Sequence, residues 1–113
     1  MPNYMIAQLD ELAATECPCG LSRRAFIGEG NETASMHMVD ISVDAKVHYH
    51  KKMTEIYLIL EGHGQMELDG EKVTVKPFTS ILIKPLCRHR AVGKMRILVV
   101  AIPSFDTEDE WFD

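Results

Sequence analysis

The residues most able to do chemistry lie in the stretch His48 to Gly62, which reads HYHKKMTEIYLILEG. His48 and His50 are two positions apart, so on an extended strand both imidazoles project from one face and Tyr49 from the other. A turn through KKMT can then bring Glu55 beside them on a neighbouring strand. His89 arrives some forty residues later, just past the turn KPLCR. Three imidazoles and one carboxylate suit Mn, Fe, Co, Ni, Cu or Zn, with one or two positions left for water or substrate. Taken singly, each histidine reads equally well as a surface or hydrogen-bonded strand residue. The pair at strand spacing followed by glutamate is what sets the cluster apart.

The elements that must position these side chains are short and rich in β-formers. LSRRAFIG, ASMHMVDIS, EIYLIL, GQMELDG, EKVTVK, SILIK, HRAVG and MRILVVAI are separated by Gly, Pro, Asn and Asp. Strands at this spacing with turn signals between them indicate an all-β sandwich or barrel. Asp69-Gly70 is a strong two-residue hairpin signal. In EIYLILEG, Glu55, Tyr57 and Ile59 share one face and Ile56, Leu58 and Leu60 the other, so both faces are largely apolar. RILVVAI has the same character, and the surplus apolar surface predicts a homodimer. Residues 5–14 carry Ile6, Leu9, Leu12 and Ala13 at helical spacing, predicting a short helix or a packed arm. The expected organisation is an N-terminal arm over 1–20, a barrel over 21–104 and an acidic C-terminal tail over 105–113, with Trp111 and Phe112 free or docked.

The 113 residues suffice for one domain with a real core. A formal charge of −5 argues against the basic stripe of a nucleic-acid binder. No apolar run approaches the roughly 20 residues of a membrane span. The N-terminal residues lack the basic and apolar regions of a signal peptide, so the expectation is a cytoplasmic protein. Three cysteines, Cys17, Cys19 and Cys87, then predict reduced thiols, with CPCG forming a tight turn.

HYHKKMTEIYLILEG resembles the first motif of the cupin superfamily: His-x-His, three or four residues, Glu, six residues, Gly. The fixed positions match at His48, His50, Glu55 and Gly62. ILIKPLCRHRAV resembles the second cupin motif, at Pro85 and His89. The resemblance covers residues 33–102 and implies a small single-domain cupin: a double-stranded β-helix, or jelly roll, whose interior holds one divalent transition metal on His48, His50, Glu55 and His89. Two positions depart from the pattern. Leu86 and Phe78 stand where the family's turns carry glycine, which implies a different turn or strain at positive φ. The family's asparagine after the second-motif histidine reads Gly93.

Around the ligands, Tyr57 shares the inward parity of Glu55 and is read either as a catalytic phenol or as core with one hydrogen bond. Met36, Met38, Met53 and Met66 are candidates for the interior wall. Arg23, Arg24 and Arg90 are solvated surface or anchors for a substrate carboxylate or phosphate. His37 is a candidate for the barrel mouth, Cys87 a neighbour of the site, and His63 an exposed turn residue. The function expected from the resemblance is a metal-dependent enzyme acting on a small oxygen-rich molecule, with Glu55 and Tyr57 as its catalytic residues and dioxygenase-like oxidation ranked first. A non-catalytic small-molecule binding or sensing module and a sugar-phosphate isomerase-like enzyme are the alternatives, the latter requiring a cationic phosphate site.

Overall fold

The computed structural model describes residues 3–17, 20–28, 30–42 and 45–113. Its strands are β1 Thr15–Cys17, β2 Gly20–Ala25, β3 Ser35–Ile41, β4 Thr54–Gly62, β5 Gly64–Leu68, β6 Glu71–Val75, β7 Ser80–Ile83, β8 His89–Val92 and β9 Met95–Ile102. The eight segments expected from alternation and turn chemistry are β2 to β9. The three-residue β1 was not foreseen, because so short a strand carries no period of its own. Pairing is antiparallel throughout, in a six-stranded sheet of order β1-β2-β3-β9-β4-β7 and a three-stranded sheet of order β6-β5-β8. This is the expected all-β jelly roll. No helix among the described residues is long and apolar enough to cross a membrane.

Register stacks the inward side chains in rows across the large sheet. Ile59 lies opposite Ile97, Ile97 opposite Val39, and Val39 opposite Ser22. Ile59 and Ile97 are wholly buried in the apolar core with Ile41, Met66 and Val75, each such burial contributing about 1.5–3 kcal/mol. The next row is Tyr57, Val99, His37 and Arg24, and the one beyond it Glu55, Ala101 and Ser35. The interior therefore turns from aliphatic to polar within two rows, which places the chemistry toward one end of the barrel.

Turns hold this register. Asp69 (φ 50°) and Gly70 (φ 86°) form the two-residue link between β5 and β6, as expected. Gly62 sits at φ 89°, where a Cβ would lie 2.3 Å from the Lys94 carbonyl oxygen, so this motif position admits only glycine. Phe78 (φ 72°) and Leu86 (φ 75°) keep the left-handed turn despite their side chains. Strain at positive φ, rather than a different turn, is thus the outcome at both departures.

Residues 5–14 hold one 3-10 turn, Leu9–Glu11, instead of a helix. Short isolated helices are marginal in water, and Tyr4, Met5 and Ile6 remain exposed, so no burial offsets that cost. The arm is tied down by Arg23, whose Nε donates to the Leu12 carbonyl. Cys17 is disulfide-bonded, against the expectation of reduced thiols. An odd count of cysteines does not exclude one bonded pair, and Cys17 ends β1 at the turn of the β1–β2 hairpin, opposite Gly20. Pro18 and Cys19 lie outside the described residues. Met53 and Met66 are interior as expected, but Met36 and Met38 have the opposite parity. They pair with Val100 and Leu98 on the outer face, where Met38 is buried and Met36 half-buried.

Candidate metal centre

His48 and His89 exchange backbone hydrogen bonds, N–H to carbonyl at 3.1 and 2.9 Å, so their side chains stand on the same side of a short antiparallel bridge. His50, two residues on, shares the parity of His48. Its carbonyl accepts from the Leu86 amide, which couples it to the strained turn leading to His89. Glu55 comes from the opposite sheet, at the start of β4. All four side chains are buried, and one donor atom from each lies within 4.8 Å of the others.

The imidazoles are oriented by backbone carbonyls. Nδ1 of His48 donates to Lys46 at 2.9 Å, Nδ1 of His50 to Asp109 at 2.7 Å, and Nδ1 of His89 to Cys87 at 2.8 Å. A carbonyl can only accept, so each Nδ1 carries a proton, and each ring in its neutral form turns an Nε2 lone pair inward. Oε1 of Glu55 lies 3.0 Å from His50 Nε2 and 3.2 Å from His89 Nε2. These three atoms are nevertheless buried without an aligned hydrogen bond. Lone pairs converging on a carboxylate oxygen repel unless a proton or a metal ion lies among them, and three imidazoles with one carboxylate are a donor set that fits a divalent metal ion.

A proton competes with a metal for the inward Nε2 atoms: burial alone would lower His50, but its contact with Glu55 outweighs burial and raises the imidazole. Burial, followed by the charge of His89, pushes His48 down to about 4, keeping its ring neutral and able to ligate. Burial alone would raise Glu55, but positive charge on the His50 and His89 side, a proton at Nε2 in place of a metal, outweighs it and holds the carboxyl well below its usual range. Tyr57 is driven well above the ordinary phenol value by burial and then by the charge of Glu55, so it stays protonated.

The family model for the cupin domain matches residues 35–101, more than half of the chain. The chain belongs to the cupin family. A crystal structure of a protein from Planctomyces limnophilus shares 38% identity and superimposes with a TM-score of 0.91, covering 99% of this cupin and 97% of that chain. Pac13, described as a unique nucleoside dehydratase, has a TM-score of 0.80 at 17% identity over 96% of this chain and 90% of its own. Ectoine synthase from P. lautus has a TM-score of 0.78 at 19% identity, over 96% and 88%. At these identities the last two show the fold alone. An uncharacterized protein of Methanocaldococcus jannaschii is 37% identical over 76 residues, 64% of this chain, and the matched part spans 61% of that relative's length.

The cupin's C-terminal tail docks on its own barrel and forms part of the site wall. Trp111 and Tyr49 exchange backbone bonds, both 3.0 Å. The buried Asp109 carboxylate accepts from the amides of Lys51, Lys52 and Met53 and from Trp111 Nε1 at 2.9–3.2 Å. It thereby pins the loop between His50 and Glu55. Arg88 stacks on Tyr49 and pairs with Asp113.

Beside the ligands lies a small pocket whose walls include Tyr57, His37, Arg24, Phe105 and Glu110. Tyr57 faces inward edge-on to His89, with ring centroids 5.9 Å apart. His37 is buried rather than at an open mouth, and its Nε2 lies 2.8 Å from the Ser35 hydroxyl. Arg24 is half-buried and lines the pocket wall, because its parity follows His37 across the β2–β3 pair. Arg23 and Arg90 are outward and paired, with Asp40 and Glu67 respectively. Cys87 is a free thiol packed against the core, outside the four-residue group, and contributes its carbonyl to His89. His63 is exposed. Glu110, Phe105 and Asp109 were missed as site residues. An acidic tail has no period to announce that one of its carboxylates returns to the barrel.

Proposed function

We propose that this cupin holds one divalent transition metal on His48, His50, Glu55 and His89 and acts as an enzyme on a small oxygen-rich molecule bound in the adjoining pocket, with dioxygenase-like oxidation as the leading reaction. The observation that carries the reading is the convergence of three inward Nε2 lone pairs and one ionised carboxylate, each imidazole held by a backbone carbonyl. A bound divalent metal supplies Lewis-acid and redox chemistry to substrate oxygens. The chain's own residues orient the ligands, and Val99 and Phe105 limit water at the pocket wall. Tyr57 keeps its phenolic proton and offers a donor to a substrate oxygen. Glu55 serves as ligand and as the fixed negative charge of the site.

The sugar-phosphate isomerase alternative is disfavoured, since the pocket carries a single guanidinium and no lysine, opposed by Glu110. Dehydration is a second reading. It is favoured by the protonated Tyr57 in a pocket that also holds the acid Glu110, and a protein of the same fold is a nucleoside dehydratase. We also propose that a second copy covers the outer face of the large sheet. There Ile56 lies between Leu82 and Val100, and Leu58 beside Leu98, with Leu82 57% exposed.

Elemental analysis of protein purified without added metal is expected to find about one metal per chain, lost in both His48→Ala and His89→Ala. Unchanged metal content in both variants overturns the assignment. Oxygen uptake with an enediol probe that disappears in Glu55→Ala supports oxidation. Metal binding with no turnover of any probe leaves a non-catalytic binding module.

A further inference from the structure

The described arginines divide sharply by partner. Arg23 and Arg96 pair with Asp40, Arg88 with Asp113, and Arg90 with Glu67. Arg24 has no ion pair or hydrogen bond among the described residues, and its Nε is buried without a partner. The same side chain lines the pocket above the metal ligands. Its guanidinium lies 4.2 Å from the centre of the Phe105 ring, which fixes its plane and shields one face from water.

We infer that Arg24 anchors a carboxylate of the substrate, so that the natural ligand of this pocket is a small organic acid. The inference rests on the pocket over the four ligands being the substrate site, as proposed above. A buried donor without an acceptor is costly, and a guanidinium offers a fork that a planar carboxylate fills with two hydrogen bonds. The charge count points the same way. A divalent ion and Arg24 outweigh Glu55 and Glu110, leaving the occupied pocket with a positive balance that an anion neutralises. Glu110 is the acid whose field reaches Arg24, yet it forms no ion pair with it, and burial raises its carboxyl, which weakens it as a competitor. A planar carboxylate matches the fork of a single guanidinium, whereas a phosphate ester calls for more cationic partners than this pocket offers.

Isothermal titration of the metal-loaded protein with glycolate tests this, with glycolamide as the neutral analogue and inorganic phosphate as the competing anion. Glycolate is expected to bind, and to bind about 10- to 100-fold more weakly to Arg24→Gln. Arg24→Lys, which keeps the charge, is expected to recover part of the loss, and glycolamide to bind all three proteins equally weakly. Metal content, measured on each protein, is expected to be the same in all. The inference is overturned if glycolate fails to bind the wild type, if Arg24→Gln binds it undiminished, or if phosphate binds more tightly than glycolate. An absence of metal from the wild type overturns the metal reading instead. Glycolate binding that still depends on Arg24 would then uphold the anchor.

Discussion

The Nδ1–H of His50 donates to the backbone carbonyl of Asp109, 2.7 Å away and 59 residues further along the chain. One ligand of the candidate metal centre is therefore aimed by a residue of the C-terminal tail, and the carboxylate of that residue holds the loop that follows His50.

Asp109→Ala should uncouple the two. Removing a buried carboxylate that accepts three amides and an indole N–H is expected to lower stability by about 3 kcal/mol. It should also weaken metal binding about 10- to 100-fold, through loss of His50 orientation. Asp109→Asn should fall between, since an amide retains one acceptor oxygen. Urea unfolding and metal competition titrations read the two effects separately. Wild-type stability in Asp109→Ala would show that the tail does not brace the loop.

Phe78 and Leu86 occupy left-handed turns with their side chains 81% and 55% exposed. Glycine at either site gives up little packing and relieves a conformational cost of roughly 1–2 kcal/mol. It regains part of that cost as unfolded-state entropy. Leu86→Gly and Phe78→Gly are each expected to raise the unfolding free energy by up to about 1 kcal/mol, measured from denaturation midpoints at constant slope. A loss of stability in both would mean that the turns are relaxed as they stand.

Asp40 supplies a pH test away from the metal ligands. Its hydrogen bond to Arg96, aided by the charges of Arg96 and Arg23 and opposed by burial, lowers its folded-state pKa. A lowered carboxyl contributes stability that is present above its unfolded value, near 3.9, and lost as pH falls through the folded value. The stability difference between wild type and Asp40→Asn should therefore be constant near neutrality and shrink toward zero in acid. Partial exposure keeps it to about 1 kcal/mol or less. Thermal unfolding across pH 2–7 reads this directly. A difference that grew on acidification would contradict the pairing.

Leu58 and Leu98 adjoin on the outer face of the large sheet. If a second copy covers that face, light scattering should give a dimer for the wild type and a monomer for Leu58→Glu or Leu98→Glu, with the β-sheet circular dichroism retained. A wild-type monomer would remove the proposed interface.

The strands were legible because a period of two and Gly, Asn, Asp and Pro turns are local properties. Asp69-Gly70 announced its hairpin without reference to anything distant. His48, His50 and Glu55 were legible for the same reason, since parity on an extended strand decides which way each points. Parity failed for Met36 and Met38, where an apolar residue reads the same on either face of a sheet apolar on both. Of the short helix or packed arm expected over residues 5–14, the helix did not form, because spacing alone does not supply a surface to bury against.

By itself the sequence determined the all-β class, the hairpin register at Asp69-Gly70 and the four candidate ligands, through side-chain alternation and a spaced motif. Tertiary structure alone decided that Arg24, His37, Phe105 and Glu110 share one pocket, and that Asp109 aims His50. These contacts join strands and a tail far apart in the chain. Only return of the tail brings Phe105 and Glu110 to Arg24 and His37, and Asp109 to His50, and no local pattern encodes a neighbour that remote.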